Sequence, residues 1–333
     1  MFKAPEFWYH KTGRAAAPAL RTALSPLGWL YAKATAKKLA DTIPVNVGVP
    51  VICVGNATVG GSGKTPVTRY LLESFTRLGI RTVGLSRGYG GREKGPVRVT
   101  SKHTYKDVGD EPLLLASAAP VWVAAGRDEG ARAAVAGGAQ LIVMDDGHQN
   151  PLLMKTLSLL VLDAETGFGN GRVFPAGPLR EPATAALARA DAVILMKPSL
   201  DFRPEPDLLH ALAGKIVIPA HLKPLQKPPE GKVFAFAGIG RPQKFFDALR
   251  RAGADLVDAL AFANHKAYAQ TDLKNLLDLA GEYKAQLITT EKDYVRLPKG
   301  FARHVTCWPV KVEFEDELTL RRILHPVIES MRR

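Results

Sequence analysis

An apolar run, Val51 to Val54, opens into Gly55-Asn56-Ala57-Thr58-Val59-Gly60-Gly61-Ser62-Gly63-Lys64-Thr65. A core strand, a glycine-rich loop and a helix start in that order constrain the fold more than any other feature of the chain. Glycines let successive backbone N–H groups turn inward without a Cβ clash, and a helix N-terminus adds partial positive charge at the same place. Gly60, Gly61, Ser62 and Gly63 are therefore expected to cradle phosphate. Lys64 can reach the terminal phosphates, and the Thr65 hydroxyl can ligate Mg²⁺. The implied ligand is a nucleoside triphosphate. The strict pattern has glycine where Thr58 stands, but Gly60 and Gly61 keep the loop pliant. Pro66 is compatible with a first helical turn.

Apolar strands alternate with helical stretches from Val45 onward. Strands are expected at 49–54, 81–86, 121–124, 141–144, 157–163 and 192–196, and helices at 66–78 and 128–136. Continuous rather than alternating apolar strands indicate a parallel sheet covered by helices on both faces. The expected class is α/β: a P-loop NTPase-like parallel sheet flanked by helices, with a second, smaller α/β domain. Prolines crowd residues 198–231, which read as a junction. The expected organisation is a basic, aromatic N-terminal segment over 1–44, a nucleotide-binding domain over 45–198, a junction over 199–231 and a smaller domain over 232–333.

The chain has 333 residues and a formal net charge of +13, which favours anionic partners. No basic block interleaved with aromatics appears, so nucleic acid is not expected. Two cysteines, Cys53 and Cys307, exclude a disulfide framework and fit a reducing compartment. No apolar run reaches the roughly 18 residues that suggest a membrane span. Residues 15–40 mix Leu20, Leu24, Leu27, Trp29, Leu30 and Tyr31 with Arg14, Arg21, Lys33, Lys37 and Lys38. Pro26 is expected to split them into two short helices. Such a segment either lies in a membrane interface or packs on the protein's own core.

Leu141-Ile142-Val143-Met144-Asp145-Asp146 ends a buried strand in acids, with Gln149 close behind. Carboxylates at the C-terminal edge of a parallel sheet can hold Mg²⁺ directly or through water. Gly109-Asp110-Glu111-Pro112 opens a helix, where Asp110 is either an N-cap or a base for an attacking hydroxyl. Arg87 and Arg127 follow strands, where an arginine suits phosphate clamping.

The chain resembles the tetraacyldisaccharide 4′-kinases over nearly its whole length. The residues that carry this are 54–66, Ser-Arg-Gly-Tyr-Gly-Gly (86–91), Gly-Asp-Glu-Pro (109–112), Asp-Asp-Gly-His-Gln (145–149), Gly-Arg-Val-Phe-Pro-Ala-Gly-Pro-Leu-Arg-Glu-Pro (171–182) and Thr-Thr-Glu-Lys-Asp-Tyr-Val-Arg-Leu (289–297). The resemblance implies transfer of the ATP γ-phosphate to the 4′-hydroxyl of a tetraacylated glucosamine disaccharide 1-phosphate; no protein partner is expected. It implies an enzyme on the cytoplasmic face of a Gram-negative inner membrane, peripheral or anchored by its N-terminus. It implies two α/β domains with the site in the cleft between them. By the same resemblance, Asp110 is the catalytic base and His265 its partner, while Asp145, Asp146 and Gln149 lie near the metal. Arg127, Arg180 and Glu181 match polar active-site positions. The family usually reads Asp-His-His-x-Tyr where this chain reads Asn264-His265-Lys266-Ala267-Tyr268. A P-loop ATPase switch, or a small-molecule kinase or ligase, is the alternative that the loop alone leaves open.

Overall fold

A computed structural model of the chain describes residues 4–331. Residues 1–3 and 332–333, the ends of the expected first and last segments, lie outside the described residues. Along the chain the strands are β1 (Val51–Gly55), β2 (Thr82–Ser86), β3 (Val97–Arg98), β4 (Val121–Val123), β5 (Leu141–Asp145), β6 (Leu157–Asp163) and β7 (Ala192–Lys197). They continue as β8 (Ile216–Pro224), β9 (Lys232–Ala237), β10 (Asp255–Ala261), β11 (Gln286–Thr290), β12 (Val305–Trp308) and β13 (Val310–Phe314). A nine-stranded sheet runs β13-β8-β7-β6-β1-β5-β2-β4-β3, and a four-stranded sheet runs β10-β9-β11-β12. The large sheet is parallel except at its edges, where β13 and β3 pair antiparallel to β8 and β4. The small sheet is parallel throughout. The expected α/β class is what the chain adopts.

β1, β5, β6 and β7 are buried along their whole length, which explains their unbroken apolar sequences. Helix α2 is defined here as Lys64–Arg77; it sinks Val67, Leu71, Leu72 and Phe75 into the sheet's core. Parallel register sets Val54 of β1 beside Asp145 of β5. The phosphate loop and the first acid thus leave the same sheet edge side by side.

Two expectations are corrected. The 199–231 stretch is not a plain junction, because it contains β8, which pairs with β7 for six residues from Ala192↔Ile216 to Lys197↔His221. Pro219 is tolerated one residue beyond the last β8–β13 pair, Phe314↔Ala220, where a ladder N–H is least needed. The chain also returns from the second sheet: β13 pairs with β8, and the Glu317–Ser330 helix packs Leu320, Leu324 and Val327 into the first core.

The N-terminal segment forms one helix, not two. We label Pro18–Asp41 α1; it carries Pro26 in its interior. The proline removes one backbone bond, and the turns on either side continue. The helix is seated by Gly28, whose Cβ, were one added, would lie 2.8 Å from the Val173 carbonyl oxygen. Its Leu20, Leu27, Trp29, Leu30 and Tyr31 stay exposed. No helix among the described residues is long and apolar enough to cross a membrane.

Candidate active site

Loop and strand chemistry converge at the end of β1. A Cβ at Gly55 would meet His148 Cβ at 2.5 Å, so only glycine fits there. Gly60 and Gly63 take φ of +126° and +89°, which L side chains rarely adopt. Thr58 is not among the positive-φ residues, so this departure from the glycine pattern costs no backbone strain. It bridges Leu179 instead. Asn56 Nδ2 donates to the Thr58 and Gly60 carbonyls at 2.7 and 3.3 Å, and Val59 N donates to Pro178 O at 2.7 Å. The 172–182 segment therefore braces the loop from outside.

Lys64 and Thr65 begin α2, both buried. Lys64 Nζ lies 3.6 Å from Asp146 Oδ1. Asp146 sits at φ +50° and receives Arg180 Nη1 at 2.9 and 3.0 Å. Burial alone would raise its pKa, but Lys64 and Arg180 hold it well below the usual carboxylate range. Asp145 behaves oppositely. Burial, and then the negative charge of Glu111, push its pKa far up, and the Thr68 hydroxyl bond at 3.0 Å opposes this only in part. Asp145 Oδ2 is buried and accepts no hydrogen bond from the described residues.

Gln149 Nε2 donates to Asn56 O and Glu181 Oε1, both at 2.9 Å, so its amide braces the loop. Glu181 is itself clamped by both of its oxygens to Arg189 Nη2 at 2.6 Å. Arg127 is buried, and Nη1 donates to Ala124 O at 2.8 Å while Nε has no hydrogen-bond partner among the described residues. Burial pulls its pKa down to about 10, with the nearby charge of Arg87 adding to the effect. Arg87 is exposed and makes no hydrogen bond among the described residues.

The lobe of the small sheet supplies His265, Lys292 and Arg296, which face Asp110 and Glu111 of the first lobe. Asp110 is 3% exposed at the start of the Asp110–Leu115 helix. Its Oδ2 lies 2.9 Å from His265 Nδ1 and 3.7 Å from Arg296 Nε. Burial would raise its pKa; the His265 bond and the charges of Lys292 and Arg296 outweigh burial and bring it down to about 2. Glu111 Oε1 takes Lys292 Nζ at 2.6 Å and lies 3.5 Å from the Thr65 hydroxyl. Gly240 comes close enough that its Cβ would be 3.1 Å from Gly61 N. Two lobes thus meet over the phosphate loop.

The residues fit a divalent cation shared with phosphate. The orphaned, buried Asp145 Oδ2 and the Thr65 hydroxyl are the oxygens that would hold it, and Mg²⁺ habitually takes few protein ligands alongside phosphate and water. Asp146 and Gln149 are engaged by Arg180 and by Asn56 and Glu181, respectively.

A family profile described as Tetraacyldisaccharide-1-P 4'-kinase matches residues 20–329. The chain is 52% identical over 326 residues to the Tetraacyldisaccharide 4'-kinase of Caulobacter vibrioides, covering 96% of this chain and 97% of that one. It is 49% identical over 333 residues to the protein of that name from Maricaulis maris, covering 98% and 97%. A crystal structure of LpxK from Aquifex aeolicus in complex with ATP superposes with a TM-score of 0.74 at 28% identity, covering 92% of this chain and 99% of that one. The chain belongs to the tetraacyldisaccharide 4′-kinase family.

Against that family's usual pattern, Asn264 and Lys266 are departures, and His265 keeps a carboxylate partner alongside them. His265 finds its carboxylate in Asp110 across the cleft, not in residue 264. Lys266 Nζ turns away to Asp272 at 3.1 Å. The sequence reading gave no role to Lys292, Asp293, Arg296 or Tyr268. Asp293 is fully buried; it takes Gly238 N at 2.8 Å, Arg296 Nη2 at 2.6 Å and the Tyr268 hydroxyl. Gly238 O in turn receives His265 N at 3.0 Å. The 289–297 motif was the available signal, but it marks the scaffold under His265 as well as the site itself.

Proposed function

We propose that the chain transfers the γ-phosphate of ATP to the 4′-hydroxyl of a tetraacylated glucosamine disaccharide 1-phosphate. Family membership supports the reaction, and the 2.9 Å Asp110–His265 contact facing the phosphate loop carries the reading. Loop N–H groups and Lys64 hold the triphosphate. Thr65 and Asp145 would hold Mg²⁺, which, when bound, neutralises charge on the β- and γ-phosphate oxygens. The Asp110–His265 pair takes the proton of the attacking hydroxyl. Lys64 and Arg127 offset the negative charge spread over the transferring group. Catalysis here is positioning and electrostatics, as phosphoryl transfer requires.

The acyl chains need an apolar environment. An open groove of about 530 Å³, lined by Trp29, Ala32, Ala36, Leu39, Pro182 and Ala185, borders Glu181 and Arg189 and suits them. The exposed apolar residues of α1, with Lys33 over the Trp29 ring at 5.0 Å, fit an anionic inner-leaflet surface on the cytoplasmic side. The enzyme then works as a peripheral membrane protein.

Label on the γ-phosphate of ATP, followed by thin-layer separation, tests this. Label should move to the lipid only when the acylated disaccharide is present. Slow release of free phosphate that ignores the lipid would favour an ATPase switch. Transfer to an unacylated sugar without detergent or bilayer would favour a small-molecule kinase.

A further inference from the structure

Away from the reacting groups, the two lobes are joined by a set of charges that the reaction above does not use. Asp163 is the last residue of β6, the strand beside β1, and it is 7% exposed. Its Oδ1 accepts the backbone N–H groups of Glu165 and Thr166 at 3.0 and 3.3 Å, which fixes the turn after the strand and leaves the other oxygen for the second lobe. Oδ2 accepts Arg241 Nη1 at 2.9 Å and Lys244 Nζ. Glu165 Oε2 takes the same two side chains, Arg241 Nη2 at 3.1 Å and Lys244 Nζ at 2.6 Å. Arg241 and Lys244 stand at the start of the Pro242–Arg251 helix, which is rooted in the second lobe by buried Phe245, Phe246 and Leu249.

This cluster differs from an ordinary surface ion pair, which contributes little. Burial alone would raise the Asp163 pKa, and Lys244 and then Arg241 bring it below its ordinary value. The buried carboxylate stays charged chiefly through partners that the other lobe supplies. The cluster also adjoins the turn that serves the site, because Gly238-Ile239-Gly240 immediately precedes Arg241. Gly238 O receives His265 N at 3.0 Å, and a Cβ on Gly240 would lie 3.1 Å from Gly61 N. The covalent links between the lobes lie elsewhere. The chain crosses from β8 to β9 and from β12 to β13, and the two crossings run side by side, with Leu225 N donating to Pro309 O at 3.0 Å. They meet the large sheet at β8 and β13, whereas β6 lies two strands in from β8. Crossings and charges thus hold the lobes at two separate places.

We infer that Asp163 is a positioning residue: with Glu165 it binds Arg241 and Lys244 across the cleft, and so sets the spacing of the lobes at which His265 reaches Asp110. It acts through Arg241 and the Gly238–Gly240 turn. Its removal loosens the 2.9 Å contact without altering either member of the pair. A misplacement of about 1 Å at reacting groups is enough to cost on the order of a hundredfold in rate. The inference rests on the proposed role of the Asp110–His265 pair.

The test is a double-mutant cycle on turnover, measured at saturating Mg·ATP and acylated disaccharide for wild type, Asp163→Asn, Asp110→Asn and the two combined. Asp163→Asn keeps the side chain's shape and its acceptor for the turn, and removes the charge. The expected result is a fall in kcat of about ten- to a hundredfold in the otherwise wild-type chain. In the Asp110→Asn chain, where the base is already gone, the further fall should be about threefold at most. Calorimetric affinity for Mg·ATP should change less than kcat. A substitution that merely weakened the fold would cost the same factor in both chains. Arg241→Met combined with Lys244→Met empties the second lobe's half of the cluster and leaves the turn after β6 intact, so the same cycle run with it decides the matter if Asp163→Asn does not fold. Wild-type kcat, or equal losses in the two backgrounds, overturns the assignment. Wild-type turnover in Asp110→Asn alone would instead sink the reading of the pair, so the two failures are separable.

Discussion

Asp110 Oδ2 and His265 Nδ1 stand 2.9 Å apart, although 155 positions separate them and they arise from different lobes. Asp110 comes from the first sheet's side of the cleft and His265 from the loop after β10. The pair exists only when the lobes are together, so the proton acceptor proposed here is assembled from both of them. Asp110→Asn should lower turnover by about 10²- to 10⁴-fold, the usual worth of general-base catalysis. ATP affinity should stay near wild type. Steady-state kinetics with calorimetry in parallel checks both halves, and wild-type turnover would remove Asp110 from the role.

Acid should unfold the protein partly through the same carboxylate. Its folded pKa, about 2, lies below the ordinary 3.8. A depressed carboxylate contributes stability that is fully present above the unfolded value and is lost as pH falls toward the folded one. The window is therefore about pH 4 down to about pH 2, and the contribution is on the order of 2 kcal/mol. Melting curves between pH 5 and 2, taken for wild type and Asp110→Asn, should show a shallower acid slope in the variant. Parallel slopes would contradict the assignment.

Asp293 has no solvent exposure, and it ties Arg296, Tyr268 and the Gly238 amide together. Asp293→Ala strands the Arg296 cation, itself 3% exposed, without its closest carboxylate. Breaking one partner of a buried pair costs about 3–5 kcal/mol. Chemical denaturation should show that loss, and turnover should fall as well, because Gly238 O receives the His265 amide. A variant as stable as wild type would mean that the network is not what holds His265 in place.

Lys292 bonds Glu111 at 2.6 Å and helps keep Asp110 ionised. Lys292→Met removes that charge while preserving most of the stem. Two effects should follow: a large drop in kcat, on the order of 10²-fold from lost electrostatics at the site, and little change in KM for ATP. Steady-state kinetics at saturating lipid measures both, and unchanged kcat would place Lys292 outside the electrostatics of transfer.

The first lobe was legible because its signals are local. β1, the loop and α2 are consecutive, and β5 announces Asp145 by an apolar run that ends in acid. Lys64, Thr65, Asp145 and Asp146 therefore converge as their motifs predict. Pairings over long distance were not legible from spacing. Nothing in the residues around Asp110 points to His265, and only a family resemblance joined them. Lys292 and Arg296 lay inside a recognisable motif, but which carboxylates they face depends on how the lobes meet. β8 was hidden because Pro219 and Pro224 read as linker residues, while the structure sets Pro219 just past the β8–β13 ladder and Pro224 at the strand's last residue. Pro26 misled in the same way, since one missing backbone bond did not end a helix of 24 residues.

The central claim is that the loop from Gly55 to Thr65 grips a triphosphate through Lys64. Isothermal titration of ATP, with and without Mg²⁺, into folded wild type and Lys64→Ala tests it most directly. The account predicts saturable, Mg²⁺-dependent binding to wild type and a loss of at least about a hundredfold in Lys64→Ala, consistent with removal of a buried charge that pairs with phosphate. Equal binding by the two proteins, or none by wild type, would contradict it.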